Sequence, residues 1–124
     1  VARAARALRR RPEQAVVVTL GARGVWLLDT EGERAVPAPR VDAVDSTGAG
    51  DAFAGGFLGY LAGQPELTPR VLRNALVHGS VLGSFAVEDF GMGRMTRVTR
   101  QEIADRVRAV RAMTTFDLQP LSIP

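Results

Sequence analysis

The sequence contains no cysteine and no lysine, and it has a single histidine, His78, and a single asparagine, Asn74. Without cysteine there is no disulfide framework, no thiolate catalysis and no cysteine-containing zinc or iron–sulfur site, and a cytoplasmic location is expected. Without lysine there is no Schiff base, no Walker A loop and no lysine of the protein-kinase type to bind phosphate. One histidine excludes a three-histidine metal site, and a Ser-His-Asp triad would have to run through His78. No apolar run approaches the ~18 residues of a membrane span, and Val1–Arg11 lacks the continuous apolar stretch of a secretory leader. No membrane partner is expected.

What is present suits one globular domain: 124 residues, 46% hydrophobic and 23% charged, with 13 Gly and 7 Pro. All 16 basic residues are arginine and the formal net charge is only +3. The isoelectric point near 10.9 therefore reflects guanidinium groups that titrate above about 12, not a large basic excess. Arg3, Arg6, Arg9, Arg10 and Arg11 stand together with no acid among them, which leaves the rest of the chain mildly acidic. With no interleaved aromatics and no nucleic-acid motif, that cluster reads as a solvated helix face, and no nucleic-acid partner is expected.

Along the chain, an Ala/Arg-rich helix ends near Pro12. The run Ala15 to Leu20 is continuously apolar and β-branched, as in a strand buried on both faces of a parallel or mixed sheet. Val25 to Asp29 and Arg34 to Ala38 read as two more strands about a tight turn at Glu31-Gly32, so the three could form an antiparallel meander. Val41 to Val44 reads as short and extended. A helix opens near Asp51 and closes at Gly63 and Pro65; a longer one runs from Pro69 to about Ala86; a last one opens at Thr99 or Arg100. Trp26 and the phenylalanines fit core positions. Gly55, Gly56 and Gly59 point to a close approach of their helix to the sheet or to a ligand. His78 reads as a packing or solvated residue of the long helix, and Pro120 and Pro124 mark a loose tail.

The stretch that carries chemistry is Asp-Ser-Thr-Gly-Ala-Gly-Asp at Asp45 to Asp51, where an extended segment turns directly into a helix. Small residues let successive amides point into one concavity, and the helix N-terminus adds about half a positive charge. A phosphate fits such a loop. The acid at its end distinguishes it from a generic phosphate loop, because Asp51 stands where a substrate hydroxyl would approach the bound phosphate in line. That suits phosphoryl transfer to an alcohol, in which the catalyst positions the reactants, stabilises the equatorial oxygens and accepts a proton. The plain alternative is a helix-capping aspartate beside turn glycines.

Three segments together resemble the ribokinase-like, or PfkB, carbohydrate kinases: Val-Val-Thr-Leu-Gly-Ala-Arg-Gly-Val at Val17 to Val25, the approach Pro-x-x-x-Val-x-Ala-Val-Asp, and Asp45 to Phe53. Ala-Val-Glu-Asp-Phe-Gly at Ala86 to Gly91 is similar to the family's C-terminal region. The resemblance implies an α/β fold, a three-layer sandwich with a mostly parallel central sheet, of which residues 1–124 would be an incomplete C-terminal part. It implies Asp51 as catalytic base and substrate contact, and Gly48, Ala49 and Gly50 as the anion hole. Thr19, Leu20, Gly21, Ala22, Arg23, Gly24, Gly50 and Ser80 would line the ATP site. Asp45 and Thr47 would be ligands of a monovalent cation, K+, with further carbonyl ligands near Ala86, Asp89 and Gly91.

Val-Glu-Asp-Phe-Gly departs from the Val-Thr-Arg-x-Gly of ribokinases proper, and the family's Asn-x-x-Glu motif for Mg2+ has no counterpart, since Asn74 is followed by Ala-Leu-Val. The implied activity is transfer of the ATP γ-phosphoryl group to a hydroxyl of a sugar or nucleoside. A catalytically inactive nucleotide-binding homologue is the alternative. The first residue, Val1, lies within a helical pattern, so residues upstream are expected to hold the magnesium motif and the sugar pocket. A sheet edge left open there predicts marginal stability or association, with a homodimer as one outcome.

Overall fold

The computed structural model describes residues 1–114; the tail around Pro120 and Pro124, and Phe116 among the phenylalanines, lie outside the described residues. Helix α1 covers Ala2–Leu8. Strands β1 (Val16–Thr19), β2 (Val25–Asp29) and β3 (Gly32–Val36) follow, with one 3-10 turn at Gly21–Arg23 between the first two. Helices α2 (Ala49–Ala62), α3 (Pro69–Ala86) and α4 (Arg100–Thr114) complete the described chain.

The strands form a three-stranded sheet in the order β1-β2-β3, both pairs antiparallel. The meander read from the sequence is therefore present. The register pairs Val17 with Leu27 and Leu27 with Arg34. Central β2 is the buried strand, with Leu27 fully buried, whereas Val16, Val17 and Val18 are only half-buried. Among the described residues β1 lies at the edge of the sheet. Val41 to Val44 forms no strand among the described residues: the Val44 and Asp45 amides instead both donate to the Val87 carbonyl, at 2.7 and 3.2 Å.

Helix α3 is placed by its own sequence. Thr68 accepts a hydrogen bond from the Val71 amide at 3.2 Å and Pro69 fills the first helical position, where no amide hydrogen is needed. Helix α4 opens with a reciprocal capping box: the Glu102 amide donates to Thr99 Oγ1 at 3.1 Å and the Thr99 amide to Glu102 Oε2 at 2.8 Å.

Leu27, Leu72, Leu76, Val81, Phe85 and Val110 form the core that β2, α3 and α4 share, and Phe53 and Phe57 of α2 pack against it. Phe85 lies under two guanidinium groups, with Arg106 3.6 Å and Arg94 4.9 Å from its ring centre. Arg106 is held there by a bidentate pair to Glu88 at 3.0 and 3.1 Å and a bond to Ser84 Oγ at 3.1 Å. Two aromatic assignments need correction. Phe90 is 70% exposed in the turn after α3, and Trp26 in β2 is half-buried.

The glycines of α2 also act differently from expectation. Only Gly56 is a contact point, and its neighbour is α3: a Cβ there would lie 2.8 Å from the His78 carbonyl, while Gly55 and Gly59 face open space. From the other side, Gly79 and Gly83 of α3 leave room for Phe53 and the Ala49 carbonyl. Close helix crossing through small residues brings the start of α2 against the middle of α3.

Candidate functional site

The loop before α2 is built by one glycine and one aspartate. Gly48 sits at φ +82°, a left-handed conformation that side chains rarely adopt, and turns the chain into the helix. Asp45 Oδ1 accepts the Thr47 amide at 3.0 Å, and this bond holds the Asp45 carboxyl below the usual carboxylate range. The Ala49 amide donates to the Ser46 carbonyl at 3.2 Å. No side chain caps α2, and the Gly48, Gly50 and Asp51 amides have no acceptor among the described residues. An uncapped helix start with free amides is an anion-binding end. Asp51 lies in the first turn of α2, exposed to solvent.

Facing that helix start, the chain after β1 folds into a tight reversal. The Leu20 amide donates to the Gly24 carbonyl at 2.8 Å and the Gly24 amide to the Gly21 carbonyl at 3.0 Å. Gly24 itself, at φ +95°, lies so close to the Val36 carbonyl that a Cβ would be 2.2 Å from it. Glycine is required there both by backbone angle and by space.

Between these two pieces lies a cavity of about 560 Å³, a volume typical of small-molecule and cofactor sites. Thr19, Gly21, Ala22, Gly24, Ala49, Gly50 and Ser80 all line it. Seven residues singled out in the sequence, up to 61 positions apart (Thr19 to Ser80), thus border one space. Leu20, Arg23, Asp45, Thr47, Gly48 and Asp51 do not line it; the last four belong to the loop and helix start at its Gly50 end. Ser80 is buried, and its Oγ has no hydrogen-bond partner. A buried hydroxyl left unpaired on a cavity wall is a group waiting for a ligand or water.

Sequence reading missed Arg40, Ser46, Phe53, Gly83 and Ser84, which also line the cavity. Gly83 carried a signal in its spacing, four residues after Gly79 on the face that receives α2. His78 stays out of the lining: its Nδ1 lies 2.9 Å from the Asn74 carbonyl and its ring stacks on Tyr60 at 4.5 Å. In the arginine-rich start, Arg6 pairs with Glu33 and Arg9 bonds the Pro12 carbonyl, so part of that cluster is spent within the fold. Among the described residues no group of three His, Asp or Glu side chains could hold a metal ion, and no helix is long and apolar enough to cross a membrane.

The profile of the pfkB family carbohydrate kinases matches residues 1–98. The chain belongs to this family. Among curated pfkB-family relatives, it is 45% identical over 71 residues to aminoimidazole riboside kinase of Salmonella typhimurium, covering 57% of this chain and 22% of that protein. It is 33% identical over 122 residues to 1-phosphofructokinase of Escherichia coli, covering 98% of this chain and 35% of the relative. The chain therefore spans between a fifth and about a third of the length of these relatives.

Solved structures of the family agree. Aminoimidazole riboside kinase from Salmonella enterica, complexed with aminoimidazole riboside and an ATP analog, superimposes with a TM-score of 0.68 at 36% identity, over 75% of this chain and 31% of that one. A fructokinase double mutant from Vibrio cholerae, bound to fructose, ADP and potassium, gives 0.68 at 28% identity, over 75% and 30%. The cavity described above is lined by residues from Thr19 to Val87 and so lies inside the segment 1–98 that the family matches.

Proposed function

We propose that this chain carries the phosphoryl-donor half of an ATP-dependent sugar or nucleoside kinase, and that it is the C-terminal part of a three-layer α/β domain with a mostly parallel sheet. The observation that supports this best is the joint cavity. The reversal after β1 and Ser80 form its base-binding end, and the free amides at the start of α2 lie at its phosphate end. The free edge of β1 is where further strands of such a domain, or a homodimer partner, would pair.

In the proposed reaction the acceptor hydroxyl lies between Asp51 and the γ-phosphorus. Its oxygen forms the new P–O bond, its proton passes to the Asp51 carboxylate, and the bond from the γ-phosphorus to the β-γ bridging oxygen breaks, releasing ADP. The Gly48–Gly50 loop holds negative charge on the transferring group through backbone amides, the task lysine performs in other phosphate loops. Exposure of Asp51 just outside the cavity leaves it accessible to an acceptor that another part of the protein presents.

A monovalent cation is proposed beside Asp45 and Thr47. The Val87 carbonyl accepts the Val44 and Asp45 amides, so the end of α3 lies against this part of the loop. Among the described residues no three His, Asp or Glu side chains gather to hold a metal ion, and the magnesium that accompanies ATP is assigned to carboxylates supplied by residues upstream. A cytoplasmic location is part of the same proposal.

The test is Asp51→Asn in the full chain. Loss of the base should lower kcat by about 10²- to 10⁴-fold, with ATP affinity nearly intact by calorimetry. A binding-only homologue would show no turnover to lose, and unchanged turnover would remove Asp51 from the reaction.

A further inference from the structure

Of the residues lining the cavity, Arg40 alone is charged. It follows β3 in the irregular segment that leads to the phosphate loop, and it is exposed. The other arginines near it are engaged. Arg94 bonds Glu102 at 2.7 Å, Arg106 holds Glu88, and the nearby acid Asp105 is taken up by Arg108 and Gln101. Arg40 has no carboxylate within ion-pair distance among the described residues. The same cavity holds the unpaired, buried Ser80 hydroxyl and the Gly50 end of an uncapped helix. One free cation, one uncapped helix start and one orphan hydroxyl in a single space describe a ligand with an anionic part and a neutral polar part.

The geometry points to Arg40 as a binding residue for the polyphosphate of the phosphoryl donor, acting beside the backbone amides of the α2 start. This rests on the reading of the cavity as a nucleotide site. Arginine suits the task because its planar guanidinium offers paired donors to phosphate oxygens and stays charged at every relevant pH. The cavity wall supplies no carboxylate to compete for it. In a chain without lysine, an arginine is the side chain available to supplement backbone amides at such a site.

The test is isothermal calorimetry on the full chain, wild type and Arg40→Ala, with ATP, ADP, adenosine and fructose 1-phosphate as separate probes. Loss of one charge-assisted contact predicts about tenfold weaker ATP and ADP binding with adenosine binding unchanged, and Arg40→Lys should recover part of the loss. Equal affinity of wild type and Arg40→Ala for ATP overturns the inference and leaves the nucleotide site standing. So does a matching loss for adenosine, which would mean a general distortion of the cavity. A loss confined to fructose 1-phosphate overturns it in favour of a sugar-phosphate contact. A wild-type chain that binds neither ATP nor adenosine overturns the nucleotide reading itself.

Discussion

Gly79→Ala tests the helix crossing on which the cavity depends. In a free helix the change would stabilise the protein by about 1 kcal/mol, because glycine is the poorest non-proline helix former. Here the new methyl would stand 2.9 Å from Phe53 Cε2 and 2.9 Å from the Phe53 carbonyl. The ring can rotate away, but the carbonyl belongs to α2 and moves only with that helix. Overpacking of this kind costs about 1–3 kcal/mol, enough to cancel the propensity gain and leave a net loss of about 1 kcal/mol.

Gly83→Ala is the internal comparison. Its nearest neighbour, the Ala49 carbonyl, is at 3.2 Å, so the neighbour must give by only a few tenths of an ångström. Its net effect should be close to zero. Urea unfolding of the full chain, followed by circular dichroism with the m-value checked for constancy, gives both differences. A Gly79→Ala chain more stable than wild type would refute the close α2–α3 contact, and so would an order of effects in which Gly83→Ala is the more harmful.

The α4 cap makes a pH prediction. The Arg94 guanidinium, followed by the Thr99 amide, holds Glu102 down to about 2 from the usual 4.5. A carboxylate depressed in the folded state contributes stability that is complete above about pH 4.5 and is lost as pH falls toward 2. NMR titration of the Glu102 carboxyl should give that low midpoint, and an ordinary value near 4.5 would show the Arg94 pair and cap to be absent in solution. Thr68→Ala should cost about 1 kcal/mol through loss of the α3 cap, read as a lower urea midpoint; Thr68→Ser should restore it. Arg106→Lys should destabilise by about 1–3 kcal/mol, since lysine cannot make the two-pronged bond to Glu88 while lying over Phe85. Unchanged urea unfolding would deny that clamp a structural role.

The helices were legible where the chain carries its own punctuation. Thr68-Pro69 marks the first turn of α3, and the Thr-x-x-Glu spacing at Thr99 and Glu102 marks that of α4. Helix α2 begins at Ala49, two residues before the acid that suggested its start, because Gly48 takes the left-handed turn and needs no side-chain cap. The β-branched run at β1 marked a strand, but local composition does not encode which neighbours a strand takes in its sheet.

At the site, the motif residues were readable because backbone amides and an aspartate leave a strong local pattern. Arg40 was not, because its meaning lies in what surrounds it: a wall with no other charge, formed by segments from Thr19 to Val87. The side chains of Glu88 and Asp89 likewise had no reading in the sequence, and the fold gives them guanidinium partners in Arg106 and Arg97.

Val87, whose carbonyl anchors the loop before α2 through two amides, is the C-cap residue of the same helix whose Ser80 lines the cavity. Seven residues of α-helix separate these points, a rise of about 10 Å. The α3 backbone is therefore a ruler. In the proposed site it fixes the distance between Ser80 and the loop before α2 through helix hydrogen bonds that no loop motion changes. Under that proposal a nucleotide would be measured against this length, and a change in the loop's own sequence would alter how tightly its anionic end is held without altering the measure.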